Sequence, residues 1–534
     1  MNVAPDPVSV LPSDGPLPQG LSPVPHLQDT GRPVKRTPAG TASSTWMSTV
    51  RHAIAMGLVL VSVLFFVTQL VRPVPFHIAG LTIDRLSAVL TLLVAGVGAV
   101  TYFFSIRYLA GDPRRDRFLN WLLMSVVSAY LLMLSTNLLV LGLTWFLTSL
   151  GLHKLLTHYS ERTEGVKAAR KKFVISRIGD VALVGVIGVV WWQWGTLDLN
   201  TFHAMTSDTP ATGAMTAVAL LIVLAAATKS AQFPFHSWLP ETMESPTPVS
   251  ALMHAGIINA GGALLLRAAP LLVKVPEALL LLTVVGTITA VMGAIAMWAQ
   301  IKVKRTLAWS TVSQMGFMMV QCGLAAYPAA LLHIVAHGCY KAWSFLRSGE
   351  ITHEQSIVRP SAGRALLFIF IGMAVSVPAM MLAHQVTGFS PLHSPGELAL
   401  AAFVAMSVGQ VWLALLSRPQ ARHVSGMVLQ SVISVGVTCG VTIVAFFLYQ
   451  VALLYLLPVI GNPMASGSAL VWIAAALPVL AVLGLMIGHA VLPVWGGTPR
   501  GRALRVHALH GFYFGALADR FINFVWPTRS PKGL

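Results

Sequence analysis

A chain of 534 residues that is 55% hydrophobic and only 10% charged, with a mean hydropathy of +0.74, is too poor in charge for a soluble domain, since such domains carry about 25% charged residues. The formal net charge of +17 points at first to nucleic acid. Lys and Arg, however, lie in short loops between apolar runs, with no aromatic-rich basic face on which bases could stack, and no nucleic-acid partner is expected. Composition defines a polytopic membrane protein whose first partner is the lipid bilayer.

Residues 1–45 are rich in proline and polar residues and lack an apolar signal-peptide core. They are expected to form a disordered cytoplasmic tail. A bilayer needs about 20 apolar residues per helix. Fourteen segments meet that need, near 53–71, 81–106, 118–134, 136–155, 173–193, 213–244, 247–268, 277–300, 306–325, 328–347, 365–385, 398–416, 427–457 and 468–494. With the N-terminus in the cytoplasm, the inside segments, including 156–172, hold 27 of the 35 Lys and Arg residues, and the outside loops hold only Arg72, Arg267 and Lys274. This positive-inside asymmetry fits an even count and places both termini inside. Cys322, Cys339 and Cys439 have no paired spacing and read as small core residues.

The sixth segment is too long for a plain span. It places Lys229 within an apolar helix, breaks at Pro234, and is followed by Pro246, Pro248 and His254. Ionisable side chains at membrane depth are expensive and are usually functional. A helix interrupted there must be surrounded by protein or line a cavity. His333, His337 and Lys341 follow at i, i+4 and i+8, on one helix face. Such a row can relay protons. The alternative is two histidines bonded to neighbouring helices and a lysine snorkelling to the cytoplasmic surface. The pair lacks the remaining ligands of the zinc HExxH pattern, so no metal is expected.

Asp180 beside Arg177 reads equally as an ion pair or as part of a path. Asp84 and Arg85 read as structural. Glu241 and Glu244 lie near the inner mouth, as accessory proton collectors or as caps. No phosphate-binding loop, haem or iron–sulfur ligand set, or nucleophile with a nearby base is present. The chain is expected to carry an ion path, without a cofactor or catalysis of its own.

Several segments together resemble the antiporter-like subunits of respiratory complex I and of multisubunit cation/proton antiporters: LTIDRLSAVL (81–90), SRIGDV (176–181), TKSAQFPFHSWLPETMESPTPVSALMHA (228–255), IKVKRTLAWSTVSQMGFM (301–318) and HIVAHGCYKA (333–342). The resemblance implies an all-α fold of about 14 transmembrane helices, with two inverted five-helix repeats, each containing a broken helix. It divides the chain into the tail (1–45), N-terminal helices (46–110), a first repeat (111–270), a second repeat (271–416), C-terminal helices (417–494) and a cytoplasmic tail (495–534). It also implies that Lys229, His254, His333, His337 and Lys341 form a polar proton path at mid-membrane.

The chain departs from that pattern. Phe146 stands where the family has a glutamate paired with the broken-helix lysine. The second repeat offers His384 in place of its lysine, and no long lateral helix follows residue 494. In this it resembles the membrane subunits of the DAB inorganic-carbon accumulation complexes, which RVHALHGFYFGALADRFINFVWP (505–527) also fits. That likeness implies an inner-membrane subunit working with a large soluble cytoplasmic partner that carries zinc, with cation flow driving hydration of CO2 to bicarbonate. The C-terminal segment mixes Leu504, Leu509, Phe512 and Phe514 with Arg502, Arg505 and Arg520, as expected of a docking tail or of a helix lying on anionic lipid.

Overall fold

The structure is a computed structural model and describes residues 45–349, 360–417, 424–460 and 469–526. The tail assigned to residues 1–45 lies outside the described residues except for Thr45. The helices are α1 (Thr45–Val71), α2 (Arg85–Tyr108), α3 (Arg115–Leu134), α4 (Leu138–Leu156), α5 (Thr163–Trp194), α6 (Leu199–Thr206), α7 (Gly213–Lys229), α8 (Trp238–Glu241), α9 (Thr247–Ala255) and α10 (Ala260–Arg267). They continue with α11 (Ala269–Leu272), α12 (Pro276–Ala299), α13 (Val303–Gly323), α14 (Tyr327–Leu346), α15 (Ala362–Thr387), α16 (Pro395–Leu416), α17 (Val424–Ile460), α18 (Ala469–Trp495), α19 (Pro499–Leu509) and α20 (Phe514–Val525). A single hairpin of β1 (Phe76–Ile78) and β2 (Leu81–Ile83) joins α1 to α2. Its turn takes positive φ at Ala79 and Gly80, and Gly80 lies so close to Asn137 that an added Cβ would meet it at 2.7 Å.

Eleven helices among the described residues are long and apolar enough to cross a membrane, and α7 is a shorter apolar helix. The segments expected at 306–325 and 328–347 are full-length helices, α13 and α14, but fall below the same apolar measure. The reason lies in their composition: α13 carries Lys304, Arg305, Gln314 and Gln321, and α14 carries His333, His337 and Lys341. Helices of mixed polarity survive at membrane depth by facing protein: α13 packs against α10 and α12, and α14 against α9, α10 and α13.

One continuous apolar core runs from α1 through α14, whereas α15–α18 are held by smaller clusters. The break in the second half is milder than expected, because α15 remains one helix through Pro378. A proline removes a single ladder hydrogen bond, and a membrane helix tolerates that loss. The α2–α3 and α4–α5 loops, α8, and α19–α20 share one end of the bundle, here termed the basic face.

Candidate ion path

The helix break is assembled from local bonds. α7 stops at Lys229, Ala231 adopts a left-handed φ of 51°, and the Phe233–Pro234 peptide is cis. The freed backbone groups find partners: Gln232 N donates to Ala227 O (2.9 Å) and Phe233 N to Thr289 Oγ1 (2.9 Å). The following span is irregular as well, with a kink at Gly256 between α9 and α10. Ser230 Oγ donates to Ile258 O at 2.8 Å, so the two irregular stretches satisfy each other.

Lys229 is 6% exposed. Its Nζ donates to Trp145 O (3.0 Å) and Ser149 Oγ (3.1 Å), and lies 4.3 Å from the centre of the Trp145 ring. Among the described residues no carboxylate comes within 4.0 Å of it. Phe146 is covered by Arg177, whose guanidinium lies 4.6 Å from its ring and 4.5 Å from that of Phe173. Arg177 in turn pairs with Asp180 at 2.8 Å. Asp180 is therefore an ion-pair partner on α5.

Close backbone approach joins the halves. An added Cβ on Gly338 of α14 would sit 2.8 Å from Ala255 O of α9, so only glycine fits there without displacement. His254 is fully buried against Phe345 at 4.4 Å, and neither of its ring nitrogens has a protein hydrogen-bond partner. The two nitrogens of His337 are likewise unpartnered, while His333 Nδ1 meets Gln321 Oε1 at 3.0 Å and the two imidazoles lie 5.8 Å apart. Lys341 does not snorkel: it is buried and donates to Leu307 O (3.2 Å) and to Ser310 Oγ of α13. His333, His337 and Lys341 line a cavity of about 930 Å³ between α13, α14, α16 and α17. Glu397 and Tyr449 stand on its wall. Glu397 escaped the sequence reading, although its place in the first turn of an apolar helix is a signal of the kind that singled out Lys229.

At the basic face Glu241 pairs with Lys171 at 2.6 Å, and Glu244 with Arg162 at 3.8 Å. Lys171 also pairs with Asp519 of α20 at 2.6 Å. The sequence reading placed Lys171 and Lys172 in the 156–172 loop, but α5 begins at Thr163 and buries both. Arg267, expected in an outside loop, is buried on Asp84, which also caps α2 through Ser87 N at 2.8 Å. Phe514 faces inward, 5.0 Å from the Phe233 ring and 5.7 Å from that of His236. The outer side of α20 leaves Leu517, Phe521 and Phe524 exposed, Phe524 by 84%. Cys322 is buried, whereas Cys339 is exposed on the outside of the bundle and is not a core residue. No cluster of three or more metal-ligating side chains occurs among the described residues.

A bundle of apolar helices with one broken at a buried lysine, leading to a histidine row, defines an antiporter-type membrane subunit. The chain belongs to the NADH:quinone oxidoreductase/Mrp antiporter transmembrane family, whose model matches residues 135–417, and the chain 5 N-terminus model of complex I matches residues 76–119. Within that family it is similar to the probable inorganic carbon transporter subunit DabB2 of Halothiobacillus neapolitanus, 32% identical over 85% of this chain and 82% of the relative. DabB1 of the same organism is 38% identical over 57% of this chain and 58% of the relative. Across that match the chain spans under two thirds of the relative's length. Among solved structures, the Mrp complex from Dietzia sp. DQ12-45-1b contains a similar fold, with a TM-score of 0.53 and 26% identity, covering 91% of this chain and 56% of that one.

Proposed function

We propose that this chain is the proton-conducting membrane subunit of an inorganic-carbon accumulation complex. The observation that carries the reading is Lys229, held at a helix break by a carbonyl, a hydroxyl and an indole ring with no carboxylate beside it. A site with neutral partners leaves the ammonium free to lose and regain its proton. Likeness to a carbon transporter subunit along 85% of the chain supports the substrate class. In this reading Lys229 switches the first half-path, His254 links the halves, and His333, His337 and Lys341 carry protons along the second. Glu241 and Glu244 tune the inner mouth, and Asp180, paired with Arg177, is an accessory to the path. The basic face is cytoplasmic and the membrane is the inner membrane, in keeping with the positive-inside rule.

The chemistry belongs to a large soluble zinc-binding partner, docked on the outer face of α20, in which proton flow drives CO2 hydration. One charge crossing 100 mV releases about 2.3 kcal/mol, enough to bias such an equilibrium. A second reading, a proton-translocating subunit of a complex I or multisubunit antiporter assembly, is favoured by the family models. Phe146 under Arg177, where that family places a carboxylate, weighs against it. The deciding experiment is a mild-detergent pull-down of the tagged chain with mass spectrometry and zinc analysis. One soluble zinc protein in near-equal amount supports carbon accumulation, and several antiporter-like subunits overturn it in favour of the second reading.

A further inference from the structure

Lys171 and Lys172 are adjacent on α5, about 100° apart around the helix, and they do unrelated things. Lys171 turns to Glu241 and Asp519 at the basic face. Lys172 turns into the bundle, is 3% exposed, and donates to Ser149 O at 2.8 Å. Ser149 is also the residue whose hydroxyl accepts from Lys229 at 3.1 Å. Two lysines from α5 and α7 thus share one serine of α4.

The charged and titratable groups acting on Lys172 are Lys229 of α7, Arg177 and Asp180 of α5, and His153 of α4. Arg177 and Asp180 answer each other at 2.8 Å. Among the described residues, Lys172, like Lys229, has no carboxylate within 4.0 Å. Two ammonium groups on one residue in a low-dielectric interior repel. A pair that holds a single transferable proton avoids that repulsion and needs no carboxylate.

We propose that Lys172 is the inlet proton site of the first half-path and passes its proton to Lys229 through Ser149, an inference that rests on the proton-conducting reading above. Lys172 lies between the Lys171–Glu241–Asp519 network at the basic face and Lys229 in the interior, where an inlet belongs. In the step, the Lys172 Nζ swings from the Ser149 carbonyl to the Ser149 hydroxyl of the same residue. The ammonium gives a proton to Oγ while the hydroxyl proton moves onto the lone pair of neutral Lys229. The net change is one N–H bond broken on Lys172 and one formed on Lys229, with Ser149 restored and no change of oxidation state.

The test is proton flux, driven by an imposed membrane potential, in proteoliposomes containing the full chain with whatever partner co-purifies. Lys172→Met and Lys172→Arg are both expected to lose flux roughly tenfold or more, because a guanidinium cannot release its proton. Lys172→His is expected to retain flux with its pH profile moved to lower pH, since an imidazole titrates below an ammonium. A purely structural ammonium gives the opposite pattern: Lys172→Arg at wild-type flux overturns the proposal, as does an unchanged Lys172→Met. Should Lys172→Met fail to fold, the Arg and His variants decide alone. Lys229→Met is the reference. If it too conducts fully, the conduction reading falls; if it is dead while the Lys172 variants conduct, only the inlet assignment falls.

Discussion

Beside Trp145, whose carbonyl and ring hold Lys229, the packing leaves a cavity of only about 20 Å³, while His333, His337 and Lys341 look onto one of about 930 Å³. The first half surrounds its buried lysines with fixed acceptors and leaves little open volume beside them, although His236 and His254 keep unpartnered ring nitrogens. The second half leaves both nitrogens of His337 unpartnered beside a large, mostly apolar cavity whose wall also carries Glu397 and Tyr449. Carbonyl and hydroxyl dipoles hold the buried lysine in both halves, Lys229 on Trp145 and Ser149 and Lys341 on Leu307 and Ser310, and the halves differ in the open volume beside it. The apolar clusters divide later in the chain, with one continuous core for α1–α14 and smaller clusters for α15–α18, so α14 packs with the first half while its histidine row faces the large cavity.

If the first half owes its order to matched buried charges, breaking one should be severe. Asp84→Asn keeps a side chain able to cap α2 but leaves Arg267 without its carboxylate in a buried site. Loss of one partner of a buried pair costs about 3–5 kcal/mol, to be read as a fall in the unfolding midpoint of the detergent-solubilised protein. A change within error would mean that the tight half does not depend on its ion pair.

Lys229→Ala comes next, with an expected loss of proton flux on the order of a hundredfold and the folded protein retained. His337→Gln should lose less, about tenfold, because His333 and Lys341 still line the cavity. Equal losses would show that the loose half is as exacting as the tight one. Packing gives a third contrast. Gly338→Ala places a methyl group 2.8 Å from Ala255 O and 3.0 Å from Leu93 Cδ1, an overpacking of about 1–3 kcal/mol. Leu332→Phe grows into the large cavity and should stay within about 0.5 kcal/mol of wild type. Both are read from denaturation midpoints.

What the sequence made legible follows the same physics. Lys229, His254 and the row of His333, His337 and Lys341 stand out because ionisable groups inside apolar runs are rare, and the break at Pro234 because proline cannot continue the ladder. Lys171 and Lys172 were missed because they border a loop rich in Lys and Arg, and only the early start of α5 at Thr163 buries them. Arg267 was misplaced because its partner, Asp84, is distant in the chain and pairing across helices leaves no local pattern. The docking of Phe514 on Phe233 and His236 was illegible for the same reason.

The weakest effect belongs to the loop between α2 and α3, outside the spans, where the tight half meets solvent. Burial pushes the Asp112 carboxyl up, but the Arg114 backbone N–H at 2.8 Å and the His158 ring at 3.1 Å outweigh it and hold the carboxyl below its ordinary 3.8. A depressed carboxylate contributes stability that is fully present above its unfolded pKa and is lost as pH falls through the folded one. At neutral pH Asp112→Asn should therefore destabilise the protein by no more than about 1 kcal/mol, and the difference from wild type should vanish as the pH is taken below 3.8. A midpoint difference that persists at that acidity would mean that Asp112 acts through its shape and hydrogen bonds, as the neutral partners of Lys229 do, and the contrast between charge-matched and dipole-matched sites would then extend to the loops.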